Sequence, residues 1–221
     1  MPPLPLDRAA VFCDFDGTLT TVDVGVHLLE RLAPAEWRAV EDEYDTGAIG
    51  SRICLLEEWD LLPRDESRLR ETVGEVGLAP GALELLTALR AAGAEVSVIS
   101  DGFGFYVDQL LGDAPARLGI SVITNAVDWP SGELVFPHAD RCCACASCGT
   151  CKQAPIKDAR HRGLTTVLIG DGTSDRKAAL VSDVVFATGP LARWCAANAV
   201  PFEPFTTLAD IGRALSLPLD A

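Results

Sequence analysis

Two aspartates stand two residues apart where an apolar stretch of the sequence ends. Residues 9–13 form a short apolar run typical of a buried strand, and Asp14 and Asp16 follow it directly. Two carboxylates at the end of a buried strand are costly unless a positive charge lies between them. Mg²⁺ suits this position, because it binds one or two carboxylates and leaves its other sites to water and phosphate oxygens. The alternative is a polar turn that only ends a strand.

Two further predicted strands also end in polar residues. The apolar runs 95–99 and 165–169 have the length and composition of buried strands. Ligands of parallel sheets bind outside the carboxyl ends of the strands, so we expect the residues that follow these runs to lie near Asp14. Those residues are Ser100, Asp101, Gly102, Asp171 and Asp175.

The order of predicted elements indicates an α/β fold with a doubly wound parallel sheet. Residues 22–78 carry apolar side chains at helical spacing and little strand signal, which predicts a small helical insertion after the first strand. The α/β core then comprises residues 1–21 and 79–221. Serine often caps helices, so Ser100 could alternatively cap the helix that follows it.

The composition restricts the classes of partner. The 221 residues include 18 basic and 32 acidic side chains and no Lys/Arg cluster, which argues against nucleic acid. No apolar run approaches the ~18–20 residues of a membrane span, and the N-terminus lacks the layout of a signal peptide. We therefore expect a cytoplasmic protein, monomeric or homodimeric, without a membrane partner. With a net charge of −14, binding a phosphate ester would require a local metal and a local cation.

Taken together, the motifs resemble the haloacid dehalogenase superfamily of phosphatases over nearly the whole chain. The first motif of that superfamily matches Asp-Phe-Asp-Gly-Thr at residues 14–18, the second matches Ser100, and the fourth matches Gly-Asp-Gly-Thr-Ser-Asp at residues 170–175. The third motif is a lysine upstream of the fourth. Lys152, in the context Cys-Lys-Gln-Ala-Pro, fits it best, and Lys157 is the alternative.

The resemblance implies a mechanism in which two aspartates have different roles. Asp14 would be the nucleophile and form an aspartyl-phosphate. Asp16 would protonate the leaving alcohol and then activate water, which requires a higher proton affinity than that of Asp14.

The resemblance also implies a metal site and a phosphate-binding site. Mg²⁺ would be held by the Asp14 carboxylate, the Asp16 main-chain carbonyl and Asp171, with Asp175 in support. The phosphoryl oxygens would be bound by the residues of the second and third motifs, namely Ser100, Asp101, Gly102 and Lys152.

Within the superfamily, the chain is most similar to the phosphoserine phosphatase-like branch, in which a small helical cap covers the site. The insertion 22–78 would be this cap, and Asp23 and Arg52 would contact the substrate from it. The segment 100–106 and the Cys-Lys junction look most like the phosphatases of methionine salvage, whose substrate is a methylthiopentenyl 1-phosphate ester. Phosphoserine-like substrates are the alternative within the branch.

A run of cysteines departs from that group. Cysteines recur at every third position, a spacing typical of metal or redox sites, and they could hold Zn²⁺ or remain reduced thiols. If the run defines the function, the protein is a metal-binding or redox module on the same scaffold. The recurring residues are Cys142, Cys145, Cys148 and Cys151, with Cys143 in addition. The other three, Cys13, Cys54 and Cys195, are expected to be buried thiols.

Overall fold

A computed structural model describes residues 4–141 and 147–218. Their strands form a single seven-stranded sheet with the order β4-β3-β2-β1-β5-β6-β7, and every neighbouring pair is parallel except the antiparallel pair of β3 and β4. The sheet is doubly wound, because the chain runs from β1 to one side and returns to β5 on the other. The strands are β1 (Ala9–Cys13), β2 (Glu95–Phe103), β3 (Ser121–Asp128), β4 (Glu133–Val135), β5 (Thr165–Gly170), β6 (Val184–Ala187) and β7 (Glu203–Pro204).

Helices lie between nearly all of these strands, as the α/β prediction requires. Five of them lie between β1 and β2, and the first four, α1 to α4, form the helical insertion that precedes α5. The helices are α1 (Val24–Leu32), α2 (Trp37–Thr46), α3 (Ser51–Leu61), α4 (Glu66–Val73), α5 (Ala82–Ala91), α6 (Gly104–Leu111), α7 (Ala114–Leu118), α8 (Gln153–His161), α9 (Arg176–Ala179), α10 (Gly189–Ala197) and α11 (Leu208–Ala214). Among the described residues, no helix has the length and apolar composition needed to cross a lipid bilayer.

The helical segment leaves the sheet and returns to it at one place. Thr20 pairs with Leu78 in an antiparallel bridge, and the amide of Ala79 donates to the carbonyl of Leu19 at 2.8 Å. The segment that leaves the sheet and the segment that returns to it therefore lie side by side. This arrangement allows about 55 residues to be inserted between β1 and α5 without disturbing the strand order.

The central strands β1 and β5 are buried on both faces of the sheet, which explains why they are apolar without alternation. Val11 and Cys13 of β1 contribute to one apolar cluster, whereas Ala10 and Phe12 contribute to the other. The first cluster also contains Trp59 and other buried side chains of α1, α3 and α4. The helical insertion therefore shares its core with one face of the sheet.

Two elements differ from the expectations drawn from sequence. Strand β2 does not end at Ile99 but continues to Phe103, with an irregular register against β3 between these two residues. The residue that precedes α6 is consequently Phe103, so Ser100 does not cap that helix. Helix α10 was not predicted, because Gly189-Pro190 resembles a turn; a proline in the first helical turn needs no N–H partner and is well tolerated there.

Candidate active site

The polar residues that follow three strands meet at one edge of the sheet, as predicted. Strand β1 pairs with β2 on one side and with β5 on the other, so their carboxyl ends are adjacent. They open into a cavity of about 240 Å³, which the helical insertion covers from the other side. The acidic residues of the cavity lining are Asp14, Asp16, Asp23, Glu41, Asp45, Glu58, Asp101 and Asp171. Among the described residues that line it, none is a lysine or arginine.

Asp14 forms a buried ion pair with Lys152. The Lys152 ammonium lies 2.6 Å from Asp14 Oδ1 and 2.7 Å from Asp175 Oδ1, and it also donates to Ser174 Oγ at 2.9 Å. Burial would lower the pKa of Lys152, but Asp14 and Asp175 raise it above its ordinary value, so the amine stays charged. Lys152, and not the half-buried Lys157 on α8, is the lysine that the fold brings to the site.

Asp14 is one of three carboxylates that lie close together at this edge. Ligand oxygens of Asp14, Asp171 and Asp175 all lie within 4.8 Å of one another. Burial raises the pKa of Asp14 well above its usual value, the neighbouring Asp175 raises it further, and Lys152 opposes both. A divalent cation would favour the charged form of all three carboxylates, and an all-oxygen donor set is the one that Mg²⁺ prefers. The residues therefore fit Mg²⁺.

Local contacts hold Asp171 and Asp175 in place. Thr18 Oγ1 donates to Asp171 Oδ1 at 2.8 Å, and the amides of Asp171 and Gly172 donate to Asp175 Oδ2 at 3.2 and 3.3 Å. Since both oxygens of Asp175 already accept hydrogen bonds, its main effect is to position Lys152 and the loop that carries Asp171. Gly17 has a φ of +71°, and a Cβ there would lie 2.7 Å from Asp171 Oδ2, so only glycine fits this turn.

Asp16 has a different environment from Asp14. Its Oδ2 accepts hydrogen bonds from Ser100 Oγ at 2.8 Å and from Tyr106 Oη at 3.0 Å, and its Oδ1 accepts from the amide of Val24 at 3.1 Å. Burial and the charge of Asp23 raise the pKa of Asp16 to about 7, although the three hydrogen bonds oppose the shift. A carboxyl group with this pKa can both give and take a proton near neutral pH.

Sequence reasoning missed Tyr106 as a site residue. Tyr106 lies in the first turn of α6, is buried, and donates a hydrogen bond to Asp16. A buried tyrosine hydroxyl needs a hydrogen-bond partner, which was the one available signal, but the sequence did not indicate which acceptor it would find.

Gly102 is required for this contact. A Cβ at Gly102 would overlap the Tyr106 hydroxyl and lie 2.8 Å from Asp16 Oδ2. The amide of Gly102 donates to Ser100 Oγ at 2.8 Å, so it orients the serine that in turn contacts Asp16. In this structure, the Gly102 amide is therefore hydrogen-bonded to Ser100 and is not available to a ligand in the cavity.

We expect Gly102→Ala to destabilise the protein by about 1–3 kcal/mol, because the methyl group must displace the Tyr106 ring from a packed site. Urea denaturation followed by circular dichroism measures this difference. Gly77→Ala is the matched control, since a Cβ at Gly77 would meet nothing within 4 Å. Equal stabilities of the two variants would contradict the proposed clash.

Asp101 connects the site to the last residues of the cysteine run. Its carboxylate accepts a hydrogen bond from the amide of Thr150, and Thr150 Oγ1 donates to Asn125 Oδ1 at 3.1 Å. Burial raises the pKa of Asp101, whereas Lys152 lowers it. Asp101 thus lines the cavity and also fixes the loop that leads to Lys152.

The two residues expected on the insertion differ in position. Asp23 lines the cavity and caps α1, accepting from the amide of Val26 at 2.8 Å. Arg52 does not line the cavity: its guanidinium lies 2.9 Å from Asp140 Oδ1, and its Nε donates to the carbonyl of Cys148 at 3.2 Å. The structure thus brings Asp23, but not Arg52, to the site.

The cysteine run is described only in part. Cys142, Cys143 and Cys145 lie outside the described residues, so the expected four-cysteine metal site is not tested. Cys148 Sγ lies 3.3 Å from Lys177 Nζ, and Cys151 is buried at the start of the segment that carries Lys152. Cys13, Cys54 and Cys195 are buried thiols, as expected.

A second group of acids lies on the insertion side of the cavity and was not predicted. Glu41 of α2 and Glu58 of α3 lie beside Cys54, and their ligand atoms are all within 4.8 Å of one another. Burial and the charge of Glu41 raise the pKa of Glu58 to about 9. The two glutamates come from different helices, so sequence spacing alone did not join them.

Comparison with known proteins places this geometry in a family. The family model of the haloacid dehalogenase-like hydrolases matches residues 11–180, which span every element of the site described above. The chain belongs to the haloacid dehalogenase-like hydrolase family. Hydrolases of this family that act as phosphatases generally use Mg²⁺, in agreement with the oxygen-rich cluster of Asp14, Asp171 and Asp175.

Curated relatives of this hydrolase match it over nearly their full length. A 2-hydroxy-3-keto-5-methylthiopentenyl-1-phosphate phosphatase from an Exiguobacterium species is 33% identical over 208 residues, covering 91% of this chain and 94% of the relative. A protein of the same name from Brevibacillus brevis is 31% identical over 218 residues, and the match covers 94% of this chain and 95% of the relative.

Solved structures support the fold. A phospho-aspartyl intermediate analogue of phosphoserine phosphatase matches this hydrolase with a TM-score of 0.71 at 18% identity, covering 94% of this chain and 99% of its own. A phosphoserine phosphatase from T. onnurineus matches with a TM-score of 0.70 at 20% identity, covering 97% of each chain. At this level of identity, the similarity establishes the shared fold.

Proposed function

We propose that this hydrolase is a Mg²⁺-dependent phosphomonoesterase that acts on a small phosphorylated metabolite of the cytoplasm as a monomer or homodimer. The observation that carries the proposal is the contrast between two neighbouring carboxylates. Asp14 is paired with the Lys152 ammonium at 2.6 Å, whereas Asp16 accepts hydrogen bonds from neutral donors, namely Ser100 Oγ, Tyr106 Oη and a main-chain amide. Two carboxylates in such different environments are suited to the roles of nucleophile and acid–base group.

In the first step, a carboxylate oxygen of Asp14 attacks phosphorus. The new bond joins Asp14 to the phosphoryl group, the bond from phosphorus to the ester oxygen breaks, and Asp16 gives its proton to that oxygen. Asp16 is within hydrogen-bond reach of Ser100 and Tyr106, which hold its carboxyl group in a fixed orientation for this transfer.

In the second step, Asp16 acts as a general base. Now ionised, it takes a proton from water, and the water oxygen attacks the phosphorus of the aspartyl-phosphate. The bond to Asp14 breaks, inorganic phosphate leaves and Lys152 again faces the free Asp14 carboxylate. Lys152 also offers positive charge where negative charge develops during both steps.

The acidic cluster provides the metal site of this proposal. Asp14, Asp171 and the main-chain carbonyl of Asp16 would hold Mg²⁺, with Asp175 in support. The ion would supply positive charge for phosphoryl oxygens in a cavity whose described lining residues include no lysine or arginine.

We infer that the natural substrate is the methylthiopentenyl 1-phosphate ester of methionine salvage. The support comes from curated relatives with that name, which are 31–33% identical over more than 90% of this chain. The insertion 22–78 would serve as the cap over the core 1–21 and 79–221, and Asp23 would face the substrate from it. Phosphoserine remains the competing substrate, because the matching folds include phosphoserine phosphatases.

Initial rates of phosphate release test the substrate directly. The methylthiopentenyl ester, phosphoserine and several sugar phosphates should be compared by kcat/KM, each with Mg²⁺ and with EDTA. We expect Mg²⁺-dependent turnover of all good substrates and the highest kcat/KM for the methylthiopentenyl ester. A higher value for phosphoserine would reassign the substrate, and full activity in EDTA would refute the metal requirement.

The pH dependence of kcat/KM should move when Tyr106 is replaced. The hydrogen bond from Tyr106 lowers the pKa of Asp16, so Tyr106→Phe raises that pKa and keeps the general acid protonated to higher pH. We expect the alkaline limb of the profile, near pH 7 in the wild type, to shift to higher pH, with at most a ~10-fold loss of kcat/KM at pH 6.

The matched control is Tyr44→Phe. Tyr44 lines the same cavity, and its hydroxyl is not among the hydrogen-bond donors that the described residues offer to Asp16. The alkaline limb of the pH profile of Tyr44→Phe should coincide with that of the wild type. A shift to lower pH in Tyr106→Phe would contradict the role given to this hydrogen bond.

A further inference from the structure

A thiol and two carboxylates converge on the insertion side of the cavity. Cys54 and Glu58 are four residues apart on α3 and therefore share one face of the helix, and Glu41 reaches them from the neighbouring helix α2. One ligand atom from each residue lies within 4.8 Å of the other two, and Cys54 Sγ is 3.8 Å from Glu41 Oε2. Bond lengths typical of zinc would place sulfur and oxygen ligands of a tetrahedral ion roughly 3.6 Å apart. The observed separation is close to that value.

One oxygen of this group has no partner. Glu58 is 8% exposed, and its Oε1 is buried without a hydrogen-bond donor among residues 4–141 and 147–218. Without a cation, burial and Glu41 raise the pKa of Glu58 to about 9, so a proton holds the two carboxyl groups together. A cation at this position would replace that proton and give Glu58 Oε1 a partner. The thiol of Cys54 lies 3.8 Å from Glu41 Oε2 and interacts with the Glu58 carboxyl group as well, so the three side chains meet at one point.

Among the described residues that line the cavity, no basic side chain is present to pair with Glu58. Asp14 at the opposite side of the cavity has Lys152, but no lysine or arginine is among the described residues that line the cavity near Glu58. Glu41 and Glu58 thus place two carboxylates together in a half-enclosed space that already contains several others. A divalent cation between them would balance the charge and complete the coordination of the orphaned oxygen.

We propose that Glu41, Cys54 and Glu58 bind a divalent metal ion of the zinc type. A thiolate combined with two carboxylates favours a borderline-soft ion over Mg²⁺, which prefers oxygen ligands alone. On binding, Cys54 and Glu58 both lose their protons to solvent, and the thiolate and the two carboxylates become the ligands. A tetrahedral ion needs a fourth ligand, and the cavity can supply it as water or as a donor atom of a bound molecule. The site is separate from the cluster of Asp14, Asp171 and Asp175 and was not expected from the sequence.

Cobalt is a suitable probe, because Co²⁺ occupies zinc sites and its bond to a thiolate absorbs in the near ultraviolet. The full-length protein, stripped of metal with EDTA and kept reduced, should be titrated with Co²⁺ and its bound metal counted by mass spectrometry. We expect Cys54→Ala to lose one equivalent of bound ion and its thiolate band relative to the wild type. Glu58→Gln should weaken the same site by about tenfold or more.

Three matched variants separate this site from other effects. Glu57→Gln changes an exposed carboxylate on the same helix, and Cys195→Ala removes a buried thiol elsewhere; both should bind as the wild type does. Cys148→Ala changes the cysteine run and should retain the band that depends on Cys54. Circular dichroism verifies the fold, and Zn²⁺ should raise the melting temperature of Glu57→Gln but not that of Glu58→Gln. Unchanged stoichiometry in Cys54→Ala, or equal stabilisation of both glutamine variants by Zn²⁺, would overturn the proposal.

Discussion

Asp14→Asn should lower the rate of phosphate release by about 10⁴-fold or more. An amide cannot attack phosphorus, and removal of a covalent nucleophile usually costs nearly all of the catalysis that depends on it. Asparagine keeps the size of the side chain, and Lys152 keeps Asp175 as its charged partner, so the fold should persist. Steady-state kinetics with Mg²⁺ and a sensitive phosphate assay measure the loss, and circular dichroism verifies the fold.

Asp108→Asn is the matched control for this experiment. Asp108 is exposed on α6 and lies outside the cavity, so its replacement should leave the rate within about twofold of the wild type. If Asp14→Asn retained more than a few per cent of wild-type activity, Asp14 would not be the nucleophile.

Lys152→Met should have the second largest effect, because it acts on both stability and rate. Lys152 is 3% exposed and bonds Asp14 and Asp175, and without it two buried carboxylates face each other unpaired. Loss of one partner from such a cluster costs about 3–5 kcal/mol of unfolding free energy, which urea denaturation in EDTA should detect. With Mg²⁺ present, we expect the rate to fall by about 10²-fold or more.

The comparison with Lys157→Met decides between the two lysines that the sequence left open. Lys157 lies on α8, half-buried, and is not part of the ion-pair cluster at Asp14. Its replacement should change stability by no more than about 0.5 kcal/mol. If both variants lost the same stability and activity, Lys152 would not be the lysine that acts at the site.

Much of the sheet could be predicted because its signals are local. The strands at 9–13 and 165–170 are unbroken apolar runs that end abruptly in aspartate and glycine, and Asp14 and Asp171 are therefore placed at strand ends by the sequence alone. Helices α1 to α4 were also expected, since each has apolar residues at helical spacing. The continuation of β2 to Phe103 was not, because it depends on the irregular pairing with β3.

Contacts made across the fold were beyond the reach of the sequence. Tyr106 contacts Asp16 from 90 positions away, and Glu41 meets Glu58 only because α2 and α3 pack against each other. Arg52 was expected to contact the substrate, because it is a basic residue on the insertion, but the structure pairs it with Asp140. Such pairings are decided by tertiary packing, which residue spacing does not encode.

The acidic composition has a clear counterpart in the structure. The cavity gathers many carboxylates and no lining lysine or arginine among the described residues. Apart from the buried Lys152 ammonium beside Asp14, positive charge for an anionic substrate must therefore come from bound cations. This requirement gives the two metal proposals a common physical basis. They differ in ligand chemistry, because one cluster offers oxygen alone and the other also offers the Cys54 thiol.

The central claim is that the phosphoryl group passes through Asp14, and trapping it there is the most direct test. Asp16→Asn should be mixed with p-nitrophenyl phosphate and Mg²⁺, since this leaving group needs little protonation whereas hydrolysis of the intermediate still requires Asp16. The account predicts a burst of about one equivalent of nitrophenolate and, after acid quenching, a phosphoryl group on the peptide that contains Asp14. Nitrophenolate release without any phosphorylated peptide, or with the phosphoryl group on another residue, would contradict it.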